Sequence, residues 1–206
     1  MKTKLILTST FAFLLAASAQ AETQSFDFKD PKGVNNATFK LDAPLEAITG
    51  TANGISGTVS YDAEKPESLT GKIVVETKSL TIPNPVMTDH MRGADWLDAA
   101  KFPEITFEAA KVANVKRDGD NTTADVTGKF TMHGATNVIT VPVKLTYLKG
   151  KLAVRSNGQV QGDLLVLRAK FTVKRTDYGI NPKAPTDKVA DEIELALSLA
   201  GASPKK

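Results

Sequence analysis

The stretch LVLRAKFTVK, residues 165–174, alternates apolar and polar side chains along most of its length. Its apolar residues fall at every second position, and the residues between them from Arg168 onward are basic or hydroxylic. Because successive side chains of a β-strand point to opposite faces, this period of two predicts a strand with one buried face. The inward set comprises Leu165, Leu167, Ala169, Phe171 and Val173.

The same alternation recurs along the chain, with turn signals such as Asn53-Gly54 between the segments. Regularly spaced strands with one apolar face each indicate an antiparallel sandwich or barrel. An eight-stranded barrel is either filled by its own side chains or holds one ligand, and periodicity leaves both open. The apolar positions of the eight principal strands lie within residues 37–41, 55–61, 69–75, 105–109, 126–132, 139–147, 165–173 and 193–199.

The first 21 residues, MKTKLILTSTFAFLLAASAQA, have the pattern of a secretory signal peptide. A basic start precedes an apolar run, which is shorter than the ~20 residues of a membrane-spanning helix and ends at small residues. We therefore expect cleavage after Ala21 and export to the periplasm. A folded domain over residues 22–202 and a disordered tail over residues 203–206 should follow.

The exported chain of 185 residues is long enough for one domain with its own core. Without Lys2 and Lys4 it carries 24 basic and 23 acidic residues, so nucleic-acid binding is not indicated. The lack of cysteine excludes thiol catalysis and thiolate metal sites, and two histidines are too few for a histidine-rich metal site. We expect neither a metal nor a cofactor.

One segment departs from the strand pattern and gathers the rarer residue types: MTDHMRGADWLDAAKFPEITF, residues 87–107. Asn84 suits the cap of a helix, and Pro85 suits its first position. A second helical turn over residues 96–100, capped by Asp95, is expected to follow. The sequence thus predicts a short helical crossover between two strands, at about residues 84–100.

Four ordered blocks of the chain resemble the YceI family of secreted lipid-binding, or polyisoprenoid-binding, proteins. The block around DWLD and KFPEITF is the most specific, because it looks like the family's "hlrs..wld..kyPeitF" pattern. Together the blocks span about residues 34–199. In chain order they are GISGTV running into YD (54–62), DHMR with DWLD and KFPEITF (89–107), GKFTMHG (128–134), and KFTVKRTDYGI with VADEI after it (170–193).

The resemblance implies an all-β fold, an eight-stranded antiparallel, lipocalin-like barrel with a hydrophobic interior tunnel. It also implies binding, transport or sequestration of a long-chain isoprenoid lipid, such as a polyprenyl phosphate or a quinone. An isoprenoid tail has no polar atoms, so apolar burial would bind it, and polar groups are needed only at the tunnel mouth. Transient contact with a membrane is compatible with this role, and the oligomeric state, a dimer included, stays open.

Candidate ligand-binding residues are inward-parity residues of the strands together with side chains of the crossover. Arg92 suits a pyrophosphate or carbonyl headgroup, with a surface salt bridge as its alternative. Met91 suits a ligand contact or a core position. Trp96 and its aromatic neighbours could line the tunnel mouth or plug the barrel end, and for Trp96 we favour the plug. The predicted set is Met91, Arg92, Phe102, Phe107, Phe130, Met132, Val141, Phe171 and Tyr178.

His90 and His133 are candidates for acid–base catalysis, which needs a histidine beside a carboxylate. On a helix, however, Asp89 and His90 do not share a face, and no nucleophile motif accompanies them. We expect His90 and Asp89 to hydrogen-bond within the crossover and His133 to stabilise a turn. A binding protein rather than an enzyme is therefore predicted. The alternatives are an enzyme that uses these histidines on a small apolar substrate and a secreted stress protein with a solid barrel.

A basic run follows the outward face of the strand quoted first. Arg168, Lys170 and Lys174 share that face, and Arg175 comes directly after them. Such a run is either a docking patch for an anionic lipid or partner, or the solvated outer face of a barrel. The second is the commoner explanation for charges of this spacing.

Overall fold

The computed structural model describes residues 23–205, so the predicted signal peptide and Lys206 lie outside the described part. Neither helix within these residues has the length and apolar composition needed to cross a bilayer. The helices are α1 (Pro85–Arg92) and α2 (Leu152–Arg155). The strands are β1 (Gln24–Asp27), β2 (Asn36–Asp42), β3 (Ala47–Ala52), β4 (Ile55–Tyr61), β5 (Thr70–Glu76), β6 (Glu104–Asp118), β7 (Asn121–Met132), β8 (Ala135–Leu148), β9 (Gly162–Lys174) and β10 (Glu192–Pro204).

Eight of these strands form a closed antiparallel barrel, the number that the sequence predicts, although the eighth strand of the ring is β1 and not the predicted strand over residues 37–41, which lies in β2. Strands β4 to β10 are paired in chain order, and β1 joins β4 to β10, where Asp27 lies opposite Ala202. The β2–β3 hairpin pairs with the first half of β10, where Phe39 lies opposite Leu195. A single bridge between Thr51 and Thr81 connects the hairpin to the chain beyond β5. The hairpin therefore extends the barrel wall at the end that we call the upper end.

Asn35 links the two strands that share the second edge of β10. It is only 2% exposed, and it lies between β1 and β2. Its Nδ2 donates to the carbonyl oxygens of Phe28, at 2.9 Å, and of Ala200, at 3.1 Å. Its Oδ1 accepts from the Ala200 N–H at 2.8 Å. One amide side chain thus satisfies backbone groups at the point where neither β1 nor β2 pairs with β10.

Alternation along the strands turns one apolar face of each into the barrel, where two clusters of buried side chains form. The lower cluster includes Tyr61, Leu145 and Leu165, and the upper cluster includes Phe130 and Leu97. Phe26 and Phe28 are completely buried in or beside β1, although the short alternation there is not among the predicted strands. A four-residue strand offers too few repeats for the period of two to stand out.

The crossover begins as predicted and then differs. Asn84 caps α1, since its side chain accepts from the N–H groups of Val86 and Met87 at 3.0 and 3.3 Å. Residues 93–101, however, are consecutive turns rather than a second helical turn. The Leu97 N–H returns to the Met91 carbonyl at 3.0 Å, which folds the chain back over the end of α1. Leu97, which follows this reversal, is buried in the upper cluster.

The predicted disordered tail is wrong for the residues described. Ser203 and Pro204 belong to β10 and lie opposite Asp163 and Gly162 of β9, and the Lys205 N–H donates to the Gln161 carbonyl at 2.9 Å. The first residues of β9 offer unpaired backbone groups that the tail satisfies. Pro204 is accommodated because it stands at the end of its strand.

Replacement of Asn35 by alanine should lower the free energy of unfolding by about 2–4 kcal/mol, because buried backbone groups of Phe28 and Ala200 lose their partners. Urea unfolding followed by circular dichroism measures the change. Asn36→Ala is the control, since Asn36 donates one exposed side-chain hydrogen bond, to the carbonyl of Val34 two residues earlier. Its cost should stay below about 1 kcal/mol, and equal losses in both variants would contradict the bridging role of Asn35.

Candidate functional site

The barrel interior contains an elongated apolar cavity of about 190 Å³, which we call the barrel cavity. Its lining runs from Val59 and Leu145 in the lower cluster to Trp96 and Ile180 in the upper cluster. Along β7 it extends over seven residues, from Val126 to Met132, which corresponds to a height of roughly 15 Å at a usual strand rise and tilt. The barrel is therefore hollow over most of its height, and the choice left open by periodicity is settled in favour of a cavity.

The lining is almost entirely hydrocarbon. Among the described residues that line the cavity, only Thr38, Thr106 and Arg175 have polar side chains. The remainder are aliphatic or aromatic residues and one glycine. Such a cavity favours an apolar chain, because each 100 Å² of apolar surface removed from water contributes roughly 2.5 kcal/mol.

Arg175 is the one charged side chain at the cavity wall, and it is only 1% exposed. Its guanidinium donates to backbone carbonyls alone, all in the loop after β9, and none of its hydrogen-bond partners is a carboxylate. The acceptors are Ile180 at 2.9 Å, Ala184 at 3.1 Å, Ala190 at 3.3 Å, Val189 at 3.4 Å, and Asn181. All five N–H groups of an arginine can be satisfied in this way. Arg175 therefore holds the loop in place and is separate from the outward basic run beside which the sequence places it.

The upper end of the cavity is covered by α1 and the turns that follow it. Thr88 fastens the helix to the preceding chain, since its hydroxyl accepts from the Ile82 N–H at 2.9 Å and donates to the Ile82 carbonyl at 3.0 Å. Met91, Trp96 and Leu97 reach the cavity from this cover. Trp96 thus closes the barrel end and lines the cavity, which were the two roles considered for it.

Six of the nine predicted ligand-binding residues line the barrel cavity; whether they bind a ligand stays a prediction. They come from the crossover and from four strands, which the barrel brings together. Leu80, Leu97 and Ile180 also line the cavity and are absent from the predicted set, because they lie in turns and loops without a period. The six are Met91, Phe107, Phe130, Met132, Val141 and Phe171.

The other three predicted residues are not among those that line the cavity. Arg92 directs its Nε to the Leu80 carbonyl at 2.9 Å, which fastens the end of α1. Phe102 packs edge-on against His133, with ring centroids 4.8 Å apart. Tyr178 is buried and packs edge-on against Phe130 at 5.5 Å. All three support the cavity wall or its cover from behind.

The histidines do not assemble a catalytic or metal site among the described residues. His90 and Asp89 are exposed on α1, and within residues 23–205 neither side chain forms the hydrogen bond that was expected to fix the crossover. His133 stabilises the β7–β8 turn as expected, with Nδ1 3.0 Å from the Tyr178 carbonyl oxygen and its own φ at 51°. Neither histidine lines the cavity, and residues 23–205 hold no group of three potential metal ligands.

A polar cluster lies at the lower end of the barrel. The Tyr147 hydroxyl donates to Asp163 Oδ2 and the Gly150 N–H donates to Asp163 Oδ1, both at 2.7 Å. Burial, together with this donation to a carboxylate, raises the pKa of Tyr147 to about 12. Burial alone would raise the pKa of Asp163, but the bonds from Gly150 and Tyr147 outweigh it and lower that pKa. Asp163 is therefore ionised and stabilising at neutral pH.

Replacement of Asp163 by asparagine should reduce the free energy of unfolding by about 1.5–3 kcal/mol at pH 7, because two hydrogen bonds lose their charged acceptor. The contribution of Asp163 is complete above its ordinary pKa of 3.8 and is lost as the pH falls through its lower folded-state pKa. The difference between wild type and variant should therefore shrink toward pH 3. Urea unfolding across this pH range measures it. Asp118→Asn, at the exposed end of β6, should change stability by less than about 0.5 kcal/mol. A difference between wild type and D163N that is independent of pH would contradict the assignment.

Comparison with known proteins shows which family this chain is similar to. The YceI-like domain family matches residues 18–200 of the chain. Protein YceI of Escherichia coli O17:K52:H18 is 27% identical over 205 residues, which cover 98% of this chain and 99% of that protein.

Two solved structures share the fold. Burkholderia cenocepacia BcnA has a TM-score of 0.66 at 21% identity, over 81% of this chain and 95% of that chain. A polyisoprenoid binding domain from Saccharophagus degradans, implicated in plant cell wall breakdown, has a TM-score of 0.63 at 12% identity, over 89% of this chain and 100% of that chain. At these identities the likeness establishes the barrel fold.

Proposed function

The chain belongs to the YceI-like family, and from its cavity we propose that it binds a long-chain isoprenoid lipid and shields the chain from water. A binding protein fits this family and its polyisoprenoid-binding structural neighbour better than an enzyme does. The observation that carries the proposal is the barrel cavity itself, which is roughly 15 Å tall and lined almost wholly by hydrocarbon. Aliphatic and aromatic walls suit a branched hydrocarbon chain, which offers no hydrogen-bonding atoms.

Cellular location belongs to the same proposal. The signal-peptide pattern of residues 1–21 supports export to the periplasm, where a carrier would let an isoprenoid pass between membranes through water. A polyprenyl phosphate and an isoprenoid quinone both fit such a role. The two alternatives derived from the sequence lack support, because neither histidine lines the cavity and the barrel is not solid.

Protein purified from a bacterium that makes isoprenoids should carry such a lipid. Mass spectrometry of an organic extract of the purified protein should show a long-chain isoprenoid at a near-stoichiometric amount. Protein that is empty in every preparation, and that takes up neither added quinones nor polyprenyl compounds, would contradict the proposal.

Replacement of Ala109 by phenylalanine should weaken binding of a twenty-carbon isoprenoid alcohol at least about tenfold, because the new ring occupies space that the chain needs. Ala109 lines the cavity, whereas the adjacent Ala110 is exposed, so Ala110→Phe is the matched control. Fluorescence or calorimetric titration measures both affinities, and circular dichroism checks that both variants fold. Equal affinities in wild type and A109F would place the ligand outside the cavity.

A further inference from the structure

A groove on the outer surface of the sheet lies directly outside the barrel cavity. It crosses β6 to β10 and is lined by four basic side chains, and we call it the basic groove. Three residues, Val143, Ala169 and Leu197, line both the groove and the cavity. A wall one residue thick therefore separates the two spaces. The basic side chains are Lys116, Lys144, Arg168 and Lys170.

The register of the strands places three of these cations in one row across the sheet. Lys116 lies opposite Thr123, Thr123 lies opposite Lys144, and Lys144 lies opposite Arg168. Neighbouring strands are about 4.8 Å apart, so Lys144 and Arg168 are direct neighbours across β8 and β9. The Arg168 guanidinium also donates to the carbonyl oxygens of Leu167, at 3.1 Å, and Leu199, at 3.2 Å. Like charges directly opposite each other destabilise a sheet. An anion that lies over the row would offset this repulsion.

Carboxylates do not neutralise this row. Within residues 23–205, none of the ion pairs closer than 4 Å includes Lys116, Lys144 or Arg168. One carboxylate, Asp125, lines the groove beside the four basic side chains, and it accepts from the Asn114 side chain at 2.7 Å. Glu194 lies 3.6 Å from Lys170. The groove thus keeps a positive excess at its centre, around Lys144 and Arg168.

The sheet also has a seam beside the groove, because β8 and β9 stop pairing at Val143 and Ala169. Above that pair, β8 remains paired with β7 and β9 remains paired with β10. Pro142 is the next residue of β8, and a proline has no N–H to donate to a neighbouring strand. A hydrogen bond from Asn137 to the Asp177 carbonyl, at 3.0 Å, ties the two sides together farther up. Between these points β8 and β9 share no backbone hydrogen bonds, so the two strands can move apart there without breaking any.

We infer that the basic groove binds the phosphate-bearing end of an amphiphile whose hydrocarbon chain lies in the barrel cavity. The chain would leave the cavity through the seam above Val143 and Ala169, and its headgroup would lie over Lys144 and Arg168. Guanidinium and ammonium groups form strong charge-assisted bonds with phosphate oxygens. The inference rests on the proposed function and narrows it to isoprenoid phosphates over neutral quinones and alcohols.

The test compares two probes of equal chain length, geranylgeranyl monophosphate and geranylgeraniol, with inorganic phosphate as a third. Wild-type protein should bind the phosphate at least about tenfold more tightly than the alcohol, because charged hydrogen bonds are added. The double variant Lys144→Gln/Arg168→Gln should lose this preference and bind the alcohol within about twofold of wild type. Circular dichroism checks that the double variant folds, because Arg168 also donates to the Leu167 and Leu199 carbonyls.

Lys72→Gln/Lys129→Gln is the matched control, because it removes two positive charges from exposed positions outside the groove. It should keep the full preference for the phosphate. If this control also lost the preference, the preference would depend on the net charge of the protein and not on the basic groove, and the inference would be wrong. Equal binding of phosphate and alcohol by wild type would overturn the groove inference and leave the proposed function intact. Binding of neither chain would overturn the proposed function itself. Inorganic phosphate should compete weakly with the ester, and binding as tight as that of the ester would make the groove a free-anion site independent of the cavity.

Discussion

Closure of the sheet at the second edge of β10 is the constraint on which the cavity depends. β10 pairs with β9 along its whole length, but its other edge is shared between β2 and β1. An unclosed edge would expose backbone donors and acceptors and would open the cavity sideways to water. Asn35 supplies the hydrogen bonds at the junction, where β2 no longer pairs with β10 and β1 does not yet pair with it. The enclosed apolar space thus depends on one buried amide.

A second requirement is that polar groups near the cavity be satisfied by the protein, so that an apolar chain meets none of them unpaired. Arg175 meets it by donating only to backbone carbonyls. Thr88 meets it at the cover by bonding both backbone groups of Ile82. An unpaired buried donor would favour a polar ligand or water, and the free energy of binding a hydrocarbon chain would fall accordingly. Positive charge is available instead on the outer surface, where solvent keeps it hydrated until an anion arrives.

Much of this architecture is readable in the sequence, because strand formation and side-chain direction depend on a local period of two. Phe130, Val141 and Phe171 face the cavity as their parity predicts. Arg175 has the same parity as Phe171 and could have been assigned to the interior, but a buried arginine is stable only with the carbonyls of a distant loop, which no local pattern reveals. The turn residues Leu80 and Leu97 have no period at all.

Other features depend on the sum of many side chains. Whether eight strands enclose a solid core or a cavity depends on the summed volume of the inward side chains relative to the barrel interior. The alternation of apolar residues gives no information about that volume. The partner of a single side chain is equally hard to predict. The guanidinium of Arg92 suits a ligand headgroup, but in the fold its Nε donates to the Leu80 carbonyl instead. Pro142, by contrast, is a local feature of the sequence that coincides with a long-range one, since the pairing of β8 with β9 ends at the next residue, Val143.

The hollow interior has a mechanical consequence. An apolar cavity of this kind stays largely dry, so the folded protein without ligand contains volume that unfolding would eliminate. Hydrostatic pressure favours the state of smaller volume, and the empty barrel should therefore be more compressible and easier to unfold by pressure than a solid barrel of the same size. A hydrocarbon chain that fills the cavity would remove this empty volume and make the folded protein more resistant to unfolding by pressure.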